Sequence, residues 1–416
     1  MGELTNKLLT KKAFYTCRSD AQMRREILVF LVLGLVSLTA DITYEGARSI
    51  SGPFLESLGA IPLAAAIVGS GELLSYLARF LGGYIATVFR SSLVLWGTVA
   101  FGYFVNLIVI PFLAFVGRWD LAVALYVIER VGKGLRTPAR DTILAEVTSG
   151  IGRGKGFGIH EVMDQVGAFA GPLAVSWAVS TGGYSLAFLS LAFPAAASVV
   201  LVITAALLYP SVKSVSYESL TPPRFSGLPR SFWLYTISMS LLLAGYIHWS
   251  IASMYMASEG YASAAGIALA YSIAMAVDAL VALPVGIAYD KYGIKSLILA
   301  PLVVAAVPVL LTYAAAPIAP FVVGVFWGIA MGIYETNMRA AVADLVEPHS
   351  RSLAYGTFGL LTGVSWSAGG FIVSALLGSK HLLLLYIAVV EAASLIVLLQ
   401  LLKQKMGVGR EITRGQ

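Results

Sequence analysis

Asp41, Glu45 and Arg48 stand four and three residues apart in TADITYEGARSI (39–50), directly after the uncharged run ILVFLVLGLVSL (27–38). On a helix of about 3.6 residues per turn they share one face, with Tyr44 one turn before Arg48. Glu72, Tyr76 and Arg79 repeat that spacing, and Glu129, Lys133, Arg136 and Arg140 form a line with Arg130 alongside. His160 and Asp164 share another face, next to Glu161. Six acids and at least four bases thus fall in apolar surroundings in the first half of the chain. Several kinds of chemistry suit such a set. Acids and bases in balance make an ion-pair lattice that ties helices together. Buried carboxyls that outnumber their bases favour the neutral form, and can take a proton from one side and release it to the other. The same bases can hold an anion.

The elements that carry these charges lie in a solvent other than water. Of 416 residues, 58% are hydrophobic and only 12% charged, and mean hydropathy is +0.83; a soluble chain carries about a quarter charged residues. This composition is that of an integral membrane protein. A charged side chain at mid-membrane costs about 2.5–3.5 kcal/mol on insertion scales, so one kept there has work to do. The single cysteine, Cys17, excludes an intramolecular disulfide and a cysteine metal site. The four histidines, His160, His248, His349 and His381, show no metal-ligand spacing, and no glycine-rich phosphate loop is present. No metal, cofactor or catalytic constellation is therefore expected. The pI of about 9.2 comes from bases spaced between apolar runs, which set topology rather than bind nucleic acid.

A hydrocarbon core of ~30 Å needs about 20 apolar residues per helix. Such runs fall near 26–50, 60–86, 92–116, 121–138, 155–180 and 185–208, then near 231–254, 262–288, 295–314, 317–337, 353–377 and 382–402. The pattern predicts an all-α polytopic membrane protein with twelve transmembrane helices in two pseudo-symmetric six-helix bundles. Residues 1–24 read as a basic cytoplasmic tail, 25–208 as the first bundle, 209–230 as a cytoplasmic linker, 231–402 as the second bundle and 403–416 as a cytoplasmic tail. Lys7, Lys11, Lys12, Arg24, Arg25, Arg90, Arg140, Lys155, Lys291, Lys295 and Lys403 gather on one side, against Arg118 and Lys380 on the other. Excess Lys and Arg mark the cytoplasmic side, so both termini are expected inside the plasma membrane. The halves also read as copies: RGKGFGIHEVMDQVGAFAGP (153–172) and RSLAYGTFGLLTGVSWSAGG (351–370) align without a gap. Repeated halves with a site between them are a transporter plan.

GIAYDKYGIK (286–295) resembles the loop between helices of the major facilitator superfamily, with Gly286, Asp290, Lys291, Gly293 and Lys295 in the matching places. The resemblance implies a conformational latch there. The corresponding first-half loop, GYIATVFRSS (83–92), keeps Gly83 and Arg90 but has Thr87 where the family has an acid. RVGKG (130–134) is similar to the family's Arg-x-x-x-Gly pattern through Arg130 and Gly134. GAFAGP (167–172), with Gly167, Gly171 and Pro172, resembles the motif of the drug/proton antiporter-like branch. Gly134 and this Gly-x-x-x-Gly also suit close helix packing.

The resemblance implies a secondary transporter that works by alternating access, coupled to protons and exporting by antiport. Asp41, Glu45, Glu72, Glu129 and Asp164 are the candidate proton-coupling acids, with Arg48, Arg79, Arg130 and Lys133 as their charged partners in the cavity. Asp41 is expected to carry the proton, Glu45 to orient Arg48, and Arg130 to meet Asp41 or Glu45 across the cavity. Tyr44, Tyr76, His160, Tyr246, Asp278, Trp327, Tyr334 and Trp366 are candidates for the substrate cavity, with Trp249 beside Tyr246. The cargo stays open: an amphipathic or cationic small molecule, or an organic anion bound by Arg48, Arg79, Arg130 or Lys133. A sensor or an intramembrane enzyme is the remote third reading. The expected partners are a small-molecule substrate, protons and membrane lipid, with no nucleic acid, and the carrier is expected as a monomer.

Overall fold

The computed structural model describes residues 2–89, 91–212, 228–313, 317–347 and 351–414, excepting the side chains of 2–21, 86–88, 153–154, 339, 352 and 405–414. The expected linker falls largely outside these residues, as do Arg90 and the side chains of Thr87 and of most of both tails. The described residues form helices and turns and no strand. In chain order the helices are α1 (Gly2–Ser49), α2 (Ser51–Ser57), α3 (Pro62–Gly69), α4 (Gly71–Phe89), α5 (Ser92–Phe112) and α6 (Trp119–Val147). Then come α7 (Arg153–Ser190), α8 (Ala192–Leu208), α9 (Arg230–Gly245), α10 (Trp249–Ser258) and α11 (Ala264–Tyr292). The last five are α12 (Ala300–Tyr313), α13 (Ala319–Ile333), α14 (Arg339–Leu345), α15 (Arg351–Leu376) and α16 (Lys380–Arg414). Helices α7 and α15 begin at the two arginines that the sequence repeat aligns.

Nine described helical stretches are long and apolar enough to cross a membrane. Lys155–Leu208, of 54 residues, and Ala264–Tyr313, of 50, exceed one crossing. The first bends at Gly182–Gly183, the second at Gly293. Gly183 and Gly293 have φ of 68° and 59°, in the region that a Cβ disfavours. Helix α6 is not among the nine, because Glu129, Arg130, Lys133, Arg136, Arg140 and Asp141 interrupt its apolar run. It is nonetheless 29 residues long, about 43 Å at 1.5 Å per residue, and it outruns the expected 121–138 at its charged end.

Helix α1 packs on α7 and α8, and α6 on α4 and α5; later in the chain α11 packs on α13, and α9 on α15 and α16. Contacts of α7 with α11, of α2 and α3 with α10, and of α3 and α4 with α15 join the two sets. At the α1–α7 crossing, Gly171 meets the backbone of Ile42, and a Cβ on Gly167 would lie 2.9 Å from that of Asp41. The Gly-x-x-x-Gly of α7 is thus the surface against which the Asp41 segment rests.

The seventh apolar run is broken. Helix α9 ends at Gly245, Tyr246–His248 are extended, and α10 starts at Trp249. In hydrocarbon the carbonyls so freed need donors. Indole groups supply them: Trp366 Nε1 donates to the Tyr246 carbonyl at 2.8 Å and Trp327 Nε1 to that of Ile247 at 2.9 Å.

Candidate functional site

Six side chains from α1, α4 and α6 form one ion-paired chain. Lys133 Nζ lies 3.9 Å from Glu45 Oε1, and Arg48 Nη1 lies 3.3 Å from the same oxygen. Arg48 pairs in turn with Glu72, whose Oε1 lies 3.1 Å from Arg130 Nη1. Arg130 Nε then reaches Glu129 Oε2 at 3.0 Å. Base and acid alternate along the chain in equal number. Asn106 Nδ2 donates to Glu129 Oε1 at 2.6 Å, and Tyr271 of α11 donates to Glu45 Oε2 at 2.6 Å. The chain is thus tied to the second half of the molecule as well.

Local packing places these groups. Gly134 of α6 lies against the Ser75 backbone of α4, which brings Glu72 level with Arg130. At Gly71 a Cβ would stand 2.8 Å from Arg130 Cγ, so the arginine stem runs where a larger residue would sit. The partner of Arg130 across the helices is therefore Glu72, and the expected pairing with Asp41 or Glu45 is not made.

Asp41 stands outside the chain. It is buried, accepts a hydrogen bond from the Tyr44 hydroxyl and makes no ion pair among the described residues. The Tyr44 ring also meets the bases: Lys133 Nζ lies 4.0 Å and Arg130 Cζ 5.7 Å from its centroid. Asp164 belongs to a second cluster, where His160 Nδ1 lies 3.4 Å from its Oδ2. His160 Nε2 is 2.9 Å from Ser37 Oγ, to which Arg140 donates at 3.4 Å. His160 thus lies apart from the cavity described below. Arg79 makes no ion pair among the described residues and lies over the Tyr76 ring at 5.3 Å, while the hydroxyls of Tyr76 and Tyr334 meet at 3.0 Å. Asp278 is buried near Gly332.

Facing the ion-paired chain is an aromatic wall from the second half. The His248 ring lies flat on Trp366, with centroids 4.1 Å apart and planes within 11°, and Tyr246 stacks on the same indole at 5.4 Å. Trp249 and Trp327 meet edge to face at 5.6 Å, and the Tyr246 hydroxyl donates to the Trp327 carbonyl. A cavity of about 30 Å³ lies between chain and wall, lined among others by Arg48, Glu129, Arg130, His248, Trp249 and Trp366. Small-molecule sites have this mixture of apolar wall and few polar groups.

His248 and Glu391 are the residues that sequence reasoning placed wrongly or passed over. His248 belongs to a break between α9 and α10, within the run that hydropathy reads as one span. Glu391 of α16 is 4% exposed, neither of its oxygens has a hydrogen-bond partner among the described residues, and it abuts Gly245 at the end of α9.

At the expected latch, Gly293 forms the turn, and Asp290 and Lys295 are exposed. Asp290 makes no ion pair among the described residues, and Lys291 lies over its neighbour Tyr292 at 5.1 Å. The adjacent Tyr289 hydroxyl instead donates to Asp344 at 2.8 Å. Outside the apolar spans, Tyr209 closes the end of α8: Trp96 donates to its carbonyl, and its hydroxyl donates to Glu146 at 2.6 Å. Burial, with the Glu146 carboxylate beside it, pushes the Tyr209 hydroxyl pKa up.

The family model of the Major Facilitator Superfamily matches residues 29–243 and again 234–412. An uncharacterized protein of Mycobacterium tuberculosis (strain ATCC 25618 / H37Rv) is 38% identical over 353 residues, which cover 82% of this chain and 85% of that one. An uncharacterized MFS-type transporter of Methanocaldococcus jannaschii is 26% identical over 349 residues, 80% of this chain and 84% of its own. Among solved structures, a mutant of the nucleoside transporter NupG superposes with a TM-score of 0.72 at 17% identity, over 89% of this chain and 99% of that one. A bacterial homolog of the human lysosomal transporter Spinster gives 0.69 at 14% identity, over 91% and 98%. At these identities the likeness is one of fold.

Proposed function

The chain belongs to the major facilitator superfamily of secondary carriers, and from that premise we propose that it is a proton-coupled antiporter that exports its substrate. The observation that carries the proposal is the position of Asp41. Its hydrogen-bond partner Tyr44 lines a cavity shared by both halves, yet Asp41 itself lies outside the balanced chain Lys133–Glu45–Arg48–Glu72–Arg130–Glu129. Acids within that chain are neutralised by their partners and serve to hold helices together. An acid that accepts from a tyrosine hydroxyl and makes no ion pair among the described residues is placed to gain and lose a proton as the cavity changes sides. The antiporter-like GAFAGP segment backs this same acid, which supports outward movement of substrate against inward protons.

The proposed architecture has twelve spans in two bundles, 25–208 and 231–402, joined by a linker at 209–230. The two over-long stretches that turn back at glycines, the 29-residue α6 and the twofold match of the family model support it. Both termini are assigned to the cytoplasm by the Lys and Arg bias, and the carrier to the plasma membrane.

The test uses vesicles that hold the purified protein and an internal pH dye, challenged with a panel of small organic cations and anions. A compound that collapses an imposed pH gradient in the presence of protein identifies coupling. Asp41→Asn is expected to abolish that response and leave exchange of the same compound across the vesicle wall intact. If Asp41→Asn still couples the compound to protons, Asp41 is not the carrier of the proton.

A further inference from the structure

The cavity's two faces differ in what they offer a ligand. On the polar face, the carboxylate that lines the space is Glu129, and both of its oxygens are engaged. Asn106 donates to one at 2.6 Å and Arg130 Nε lies 3.0 Å from the other. The lining bases are less committed. A guanidinium has five N–H donors. Arg48 directs Nη1 to Glu45 and Nη2 to Glu72, while Arg130 Nη1, although near Glu72, makes no hydrogen bond. His248, at 5% exposure, also lines the space, and its Nε2 has no hydrogen-bond partner among the described residues. Such a buried, unpaired polar atom in a cavity wall is a position for a ligand atom.

The three indoles of the aromatic wall have no donor left to give. Trp249 Nε1 donates to the Ser49 carbonyl at 3.2 Å, Trp327 Nε1 to Ile247 and Trp366 Nε1 to Tyr246. All three indole N–H groups are engaged with backbone, so the rings present only their faces and edges. Fixed aromatic surfaces favour another flat ring, by stacking or edge-to-face contact.

From these two inventories we infer that the substrate is an organic anion with a flat aromatic or conjugated body. Its carboxylate or phosphate group lies among Arg48, Arg130 and His248, and its ring lies along Trp249, Trp327 and Trp366. A cation with the same ring would meet two guanidiniums and a carboxylate already shared between Asn106 and Arg130. Calling this ligand the transported substrate rests on the carrier reading; the chemistry of the site does not. Outward movement of an anion against an inward proton carries positive charge inward on both legs, so an inside-negative membrane potential drives it together with the pH gradient.

The test is calorimetric binding to the full-length protein in lipid nanodiscs, with 2-naphthoate, 2-naphthylmethylammonium and cyclohexanecarboxylate as probes. The expected order has 2-naphthoate tightest. One lost charge-assisted hydrogen bond corresponds to about a tenfold weakening, so the ammonium probe binds at least that much more weakly. The saturated acid is also weaker, for want of a ring to stack. In Arg130→Gln, binding of 2-naphthoate falls by about tenfold or more, and in His248→Ala it falls as well. Equal or tighter binding of the ammonium probe to the unaltered protein overturns the inference, as does failure of 2-naphthoate to bind it. Neither outcome depends on the variants folding. Binding of 2-naphthoate without proton-coupled movement in vesicles would instead overturn the carrier reading alone.

Discussion

Glu391 shows what spacing on a single helix conveys and what it omits. Asp41, Glu45 and Arg48 announce themselves because each has a charged neighbour a turn away, and the Glu45–Arg48 pair forms at 3.3 Å as that spacing implies. Glu391 is the lone acid of an otherwise apolar run, with no charged residue on its own face to draw attention to it. Arg130 shows the complementary limit. Counting residues gives its depth, but the rotation of α6 is set by Gly134 against α4, so Glu72 and not an α1 acid becomes its partner. Glu391 also permits a test of its surroundings. A buried polar group without a hydrogen bond costs roughly 1–3 kcal/mol by mutational measure. Glu391→Met keeps the length of the side chain and removes both unpaired oxygens, so the thermal unfolding midpoint in detergent should stay level or rise. A clear fall in the midpoint would show that the carboxyl has a partner that stabilises the fold.

The break between α9 and α10 belongs to the scale of the element. Hydropathy reads 231–254 as one continuous span, and nothing in Tyr246-Ile247-His248 signals an interruption, since neither glycine nor proline lies within it. The cause is tertiary. Two indoles, brought by α13 and α15, supply the hydrogen bonds that an unbroken helix would have made for itself. The tryptophans were legible as cavity candidates from the sequence, but not as caps on another helix, because that role depends on which carbonyls come loose. Trp327→Phe keeps most of the ring's buried area and removes the N–H. The Ile247 carbonyl then lacks its donor within a low-dielectric interior, and destabilisation of about 1–3 kcal/mol is expected. Thermal unfolding of Trp327→Phe beside Trp233→Phe, whose ring is only partly buried, is the measurement. Equal midpoints for the two variants would mean that the indole does not hold the break.

At the scale of the whole molecule, the crossing count turns on α6. Nine described stretches are apolar enough to span, and turns at Gly182–Gly183 and Gly293 let two of them cross twice. In the proposed arrangement the twelfth crossing comes from the one long helix whose composition argues against it. The sequence placed a span there because charges on one face do not prevent crossing when that face looks into protein. Glu129, Arg130 and Arg136 are indeed buried, Arg136 with its guanidinium 3.8 Å over the Tyr103 ring, while Leu121, Ile128 and Val131 of the same helix are exposed. Those exposed apolar side chains are the surface that lipid would cover. The ends of α6 offer two sites for a direct test, Gly117 before it and Gly150 after it. Both are exposed, and a Cβ at either meets nothing within 4 Å. With Cys17 replaced by serine, Gly117→Cys should react with a membrane-impermeant maleimide from outside the cell, and Gly150→Cys only after the membrane is opened. A helix of about 43 Å that crosses once puts its two ends on opposite sides. Labelling of both cysteines from the same side would remove α6 from the membrane and take the twelve-span arrangement with it. The ion-paired chain that α6 completes with α1 and α4 would then have to form at a membrane surface, where water would screen it.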